Sequence, residues 1–550
     1  MSRRRRAISR RTLFRYGVGG ALAAASASGL RLAGETPAAA PETAAGSFEL
    51  EELTFSDLQK RMQSGADTSR SLVSRYLARI DALDRRGPLL RAVIEPNPDA
   101  VTIAEALDAE RRNGRVRGPL HGIPILLKDN IGTADRMTTT AGSLALEGSI
   151  PSADSAVARR LREAGVVILG KANLSEWANF RSTHASSGWS ARGGQCRNPY
   201  ALDRNPSGSS SGSGAAVAAN LCAAAVGSET DGSVVSPSNN CGIVGFKPTL
   251  GFVSRAGIIP IAHSQDTAGP MARNVTDAAI LLAAMSGADA PDPSTRSAAE
   301  HPLPDFSRSV GSGGLQGLRI GVPRKGLFGQ SVSADRLVEA ALADLKRLGA
   351  VLVDPADIET IGDVDKSEFE VLLYEFKADL NAYLAALPAG GARPRTLGDL
   401  IAFNEKNRDR EMPFFGQEIF VQAEKKGPLT DKAYRQALEK DLRLTRKEGI
   451  DRTMDRHKLD AFVAPTSGPA SLIDLVNGDY GAGGCSTFPA VAGYPHVTVP
   501  AGFAFGLPVG ISFFGRAWSD ATLIRIAYAY EQATRHRKPP KFLATAELEK

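Results

Sequence analysis

The sequence predicts an α/β fold in which helices pack on a mixed sheet. Three observations point there. Short, continuously apolar runs such as "GIPILL" (residues 122–127) read as strands buried on both faces. Stretches with apolar residues at helical spacing lie between those runs. Glycine and proline stops separate the two kinds of segment.

The elements follow in order. "TFSDLQKRMQSG" opens with a capping-type Thr54-x-x-Asp57 and stops at Gly65. "SRSLVSRYLARIDALDRRG" carries apolar residues at helical spacing from Leu72 to Leu83. "PDAVTIAEALDAERRNG" is a third helix, ended by Asn113-Gly114. "GIPILLKDN" then switches to strand. "SAVARRLREAGVVILGKANL" reads as helix, glycine stop and buried strand, and "GAAVAANLCAAAVGSETDGS" repeats that order. Residues 287–316 are rich in Pro, Ser, Gly and Asp and read as a surface loop. Strand, helix and strand follow in "LRIGVP", "LVEAALADLKRLGA" and "VLVD". Residues 365–457 are mostly helical. "LDAFVAPT" and "VTVPAGFAFGLPVGISFFG" return to strand, the second as a hairpin around Gly506, before a last helix over about 519–536. No internal repeat is present. Residues 48–545 are expected to form one domain.

The chain has 550 residues, 43% hydrophobic and 23% charged, which is ordinary for a globular protein. Residues 1–34 hold eight arginines and no acid; without them the net charge falls from +6 to −2. A near-neutral body gives no electrostatic case for nucleic acid. "MSRRRRAISRRTLFRYGVGGALAAASASGLRLAG" has the grammar of a signal peptide, with Arg10 and Arg11 placed as in a twin-arginine export motif. Its apolar run is too short and too weak for a membrane span. Residues 35–47 read as a flexible spacer, so the chain is expected to be exported, to the periplasm or outside the cell. Cys196, Cys222, Cys241 and Cys485 contain no C-x-x-C pair, so buried free thiols are expected.

Metal and phosphate chemistry find no support. Seven histidines form no close ligand pair, and no Walker-type loop is present, so no metal or cofactor is expected. "GSSSG" at 208–212 matches G-x-S-x-G around Ser210, but the residues before it are polar and turn-rich, where a nucleophile elbow needs a buried strand. Three other segments combine better. Lys128 ends an apolar strand, where burial lowers a lysine's pKa and makes it a base. "NPSGSSSGSG" (205–214) runs into a helix of small residues, so its backbone amides and the helix dipole favour an anion. Thr230, Asp231, Gly232 and Ser233 form a tight turn whose amides converge as an anion nest, with Ser233 in it.

In this order the three segments resemble the amidase signature family, from about residue 50 to the C-terminus. The resemblance implies a large, twisted mixed sheet with helices on both faces. It also implies a Ser–cis-Ser–Lys arrangement. "GIPILLKDN" supplies Lys128, "GSSSGS" the bridging serine Ser209 with Ser210 as its alternative, and "TDGSV" the nucleophile Ser233, 24 residues after Ser209. The amides of Thr230, Asp231, Gly232 and Ser233 are the expected oxyanion donors. "LSEWANFR", "SGWSARGGQ", "SQDTAGPMAR" and "LLYEFKADL" are similar to bacterial peptide amidases, which remove the C-terminal amide of peptides. That likeness places Trp177, Phe180 and Trp189 near the substrate pocket. The expected partner is a small-molecule or short-peptide amide. The alternatives are a general amidase for aliphatic or aryl amides, or an exported solute-binding protein that needs no lysine–serine arrangement.

Overall fold

The computed structural model describes residues 48–302, 314–388, 393–481 and 483–548. The signal segment 1–34, the spacer 35–47 and part of the 287–316 loop lie outside the described residues. Residues Leu50–Lys550 make one compact unit.

Thirteen strands occur among the described residues: β1 (Val93–Pro96), β2 (Pro124–Lys128), β3 (Val167–Ala172), β4 (Trp189–Ser190), β5 (Gly194–Gln195), β6 (Ala224–Glu229), β7 (Val244–Lys247), β8 (Thr267–Ala272), β9 (Arg319–Gly321), β10 (Val351–Val353), β11 (Ala461–Pro465), β12 (His496–Ala504) and β13 (Leu507–Phe514). β4 and β5 form a small ribbon. The other eleven form one sheet in the order β1-β3-β2-β6-β8-β7-β12-β13-β11-β9-β10. The sheet is mixed. β3, β2 and β6 run parallel to one another, whereas β6, β8, β7, β12 and β13 pair antiparallel.

Every residue of β2, β3, β6, β8 and β13 is buried. Side chains alternate between faces along a strand, so full burial means that both faces are covered. This is why these strands read as apolar runs with no polar alternation. The β12–β13 hairpin turns at Phe505-Gly506, both with positive φ (55° and 73°). Local signals set the helix ends as well. Thr54 and Asp57 form a reciprocal capping box, and Gly65 closes the helix Phe55–Ser64 in the left-handed region.

The parallel trio β3-β2-β6 positions the site. Ligands in parallel sheets collect beyond the carboxyl ends of the strands. Lys128 is the last residue of β2, and Ser228 and Glu229 end β6. The helix Asp365–Ala386 packs its Phe376, Leu380 and Leu384 into one cluster with Trp177, Phe180 and Phe420.

Candidate active site

Lys128 is fully buried, and its Nζ has three oxygens around it. They are Ser209 Oγ at 2.8 Å, and the carbonyl and hydroxyl oxygens of Ser228, each at 3.0 Å. Burial pushes the Lys128 pKa down to about 7, against the raising fields of Asp266 and Glu229. Asn130 Nδ2 also donates to Ser228 Oγ, at 2.8 Å, so Ser228 is a fixed hub beneath the lysine.

The Gly/Ser stretch is a packed wall. The Gly208–Ser209 peptide bond is cis. A Cβ on Gly208 would collide with Ser175 Oγ and come within 3.0 Å of Ser187 Oγ, so only glycine fits there. The structure also separates the two candidate serines. Ser209 faces Lys128, whereas Ser210 Oγ donates to the Ser228 carbonyl at 3.1 Å and accepts from the Ser228 amide at 3.2 Å. Ser210 is thereby engaged with backbone.

The same loop reaches Ser233: the Ser210 amide donates to the Ser233 carbonyl at 3.1 Å. Ser209 is fully buried, whereas Ser233 keeps 8% of its surface exposed. Glu229 Oε2 accepts from the amides of Val234 and Val235 at 2.7 and 3.0 Å. Among the described residues, the amides of Thr230, Asp231, Gly232 and Ser233 donate to no acceptor of the chain. Within this run Gly232 has a positive φ of 75°, as in turns where successive amides serve as an anion nest. Asp231 Oδ2 accepts from Thr487 Oγ1 at 2.8 Å, and burial raises its pKa.

A cavity of about 400 Å³ opens beside this arrangement, touching Ser228, Thr230, Asn130 and Asp266. Asp266 accepts the Thr230 hydroxyl at 2.5 Å. Sequence reading singled out none of Ser228, Asn130 or Asp266. Each sat inside a quoted motif, but only the fold shows which of its side chains turn inward. The three aromatic residues expected near the pocket each pack against another ring. Trp177 packs edge-on against Phe420 at 5.8 Å, Phe180 against Phe376 at 5.0 Å, and Trp189 against Phe415 at 5.1 Å. None of the three lines the cavity; Ala178, between two of them, does. Large rings gain most where they lose most water, and the helix Asp365–Ala386 with residues 414–420 supplies that shelter. His263 sits between two carboxylates, its Nδ1 2.8 Å from Asp379 and its Nε2 3.4 Å from Glu375. The ligand atoms of these three lie within 4.8 Å of one another.

A neutral lysine on a serine hydroxyl, with free amides beside a second serine, is suited to acyl transfer. Known proteins agree with that class. The chain belongs to the amidase family, whose model matches residues 71–524. It is a hydrolase of amide bonds. The native peptide amidase from Stenotrophomonas maltophilia is 52% identical, with a TM-score of 0.85 over 90% of this chain and 99% of that one. An amidase family protein from Bacillus anthracis is 37% identical, with a TM-score of 0.80 over 90% and 93% of the two chains. A probable amidase of Arabidopsis thaliana is 43% identical over 90% of this chain and 93% of its own length.

Proposed function

We propose that the protein hydrolyses the C-terminal carboxamide of short peptides to the acid and ammonia, through an acyl-enzyme on Ser233. The observation that carries the mechanism is the 2.8 Å contact between Lys128 Nζ and Ser209 Oγ. A neutral amine has two N–H groups and one lone pair. The Ser228 carbonyl can only accept, so it takes one N–H, and the Ser228 hydroxyl takes the other. The lone pair is left for the Ser209 hydroxyl proton.

Ser209 gives that proton to Lys128 and takes one from Ser233. The Ser233 oxygen then forms a bond to the amide carbon. The amides of residues 230–233 stabilise the oxyanion, at about 3 kcal/mol per donor. The proton returns through Ser209 to the departing nitrogen, which leaves as ammonia. Water takes the same path in reverse and frees Ser233. The peptide part of the reading is supported by the peptide amidase of Stenotrophomonas maltophilia, 52% identical over 90% of the chain.

The test is direct. The purified chain is incubated with a C-terminally amidated peptide while ammonia and mass are followed. The expected result is ammonia with a gain of about 1 Da, absent in Ser233→Ala. An unchanged terminal amide, with small aliphatic or aryl amides still cleaved, would replace this reading with a general amidase. We further propose export through the segment around Arg10 and Arg11. Cell fractionation of the chain with both arginines changed to lysine checks it, and unchanged export would refute it.

A further inference from the structure

The cavity beside Ser228 and Thr230 carries an uneven charge. One side is apolar, with Ile258, Ile259 and Ile261. The polar side holds three carboxylates, Asp266, Asp292 and Asp379, against two basic groups, Arg255 and His263. Two of the carboxylates are matched. Arg255 grips Asp292 with Nε at 2.9 Å and Nη2 at 2.6 Å, and His263 Nδ1 lies 2.8 Å from Asp379. Glu375 stands behind His263, 3.4 Å from its Nε2, and adds a further acid.

Asp266 is the unmatched one. Its oxygens accept the Thr230 hydroxyl and the amides of Ile261 and Ala262, the last two at 2.8 and 2.9 Å. Among the described residues no basic side chain forms an ion pair with it, although Lys128 and Arg255 lie within its field. Even with His263 protonated, the lining keeps a negative surplus. The volume falls within the usual range for ligand sites, and the mix of apolar wall and one convergent charge is typical of them.

We propose that this cavity receives the group flanking the scissile amide on its acyl side and selects a positive charge there. The ligand is an ammonium or guanidinium on a methylene stem, as in lysine or arginine side chains. The stem lies along the isoleucine wall and the head meets Asp266. A carboxylate in the same place faces Asp266, Asp292 and Asp379 together. The inference rests on the peptide-amide reading and names its preferred substrates.

Three amidated peptides that differ only in the last residue, lysine, norleucine or glutamate, test it. The expected kcat/KM for lysine exceeds that for glutamate about tenfold or more, with norleucine between. Ala382 lies at the cavity lip on the exposed side of the helix Asp365–Ala386 and takes no part in the chemistry. Ala382→Lys should cut the lysine-to-glutamate ratio several-fold and Ala382→Glu should raise it, each rate being read relative to the same variant's rate on the norleucine peptide. A ratio near one, or a ratio that neither substitution moves, overturns the proposal. Failure to cleave all three peptides strikes the peptide-amide reading instead, since small amides then decide what the enzyme accepts.

Discussion

The ends of β2 and β3 present two buried lysines in adjacent strands, and only one of them is placed to act as a base. Register pairs Leu127 with Lys171 and Lys128 with Ala172, so the lysines point to opposite faces of the sheet. Both are fully buried, and burial lowers both pKa values, to about 7 for Lys128 and about 8 for Lys171. Their neighbours differ. Lys171 Nζ donates to the Ile131 carbonyl at 2.7 Å and to Thr139 Oγ1 at 2.8 Å, in the field of Asp129. Lys128 meets Ser209, whose loop is bonded to the Ser233 backbone. Desolvation readies a lysine to lose its proton. A base also needs a hydroxyl that leads to the reacting atom. Lys247 on β7 makes the same point: it is buried, its pKa is lowered to about 8, and its Nζ contact is the Pro248 carbonyl at 3.4 Å.

Swapping the lysines gives the largest contrast. Lys128→Met should lower kcat by about 10³-fold or more while the fold persists, because methionine fills the space without a lone pair for Ser209. Lys171→Met should cost about 1–3 kcal/mol of stability by orphaning the Ile131 carbonyl, with kcat per folded molecule within tenfold. Denaturation curves beside steady-state rates separate the two. Equal losses of kcat would break the contrast.

The serine pair sharpens it on the other side of Lys128. Ser209→Ala should lower kcat by about 10²- to 10³-fold, since it removes the link between base and nucleophile. Ser210→Ala removes hydrogen bonds to Ser228 backbone, so the expected loss is about 1 kcal/mol of stability and less than tenfold in rate. A larger rate loss at Ser210 would reverse their order. A change of pH acts on the same base without any substitution. Only neutral Lys128 accepts a proton, so kcat/KM should fall about tenfold per unit as pH drops below about 7. A flat profile from pH 9 to 5 would remove the lysine from this role.

The parts legible in the sequence were those carried by local pattern. Buried strands announced themselves as apolar runs, Thr54-x-x-Asp57 as a cap, and Lys128, Ser209 and Ser233 through short motifs. The cavity was not legible, because residues from 130, 178, 228–230, 255–267, 291–293 and 379–382 assemble it. No single stretch carries that signal. The packing of the aromatic residues was hidden for the same reason: Phe420, which shelters Trp177, lies more than two hundred residues further along. Local sequence shows that a ring will be buried, but not by what.

The four cysteines carry a practical consequence. All are buried and unpaired, and burial raises each thiol's pKa. A thiol reagent attacks the thiolate, so the native chain is a silent background for labelling. A single cysteine placed on the surface, at Val476 or Tyr480 (87% and 83% exposed), would be the one fast-reacting sulfur. A fluorophore or a tether to a solid support could then be attached at one chosen position without first removing any native residue.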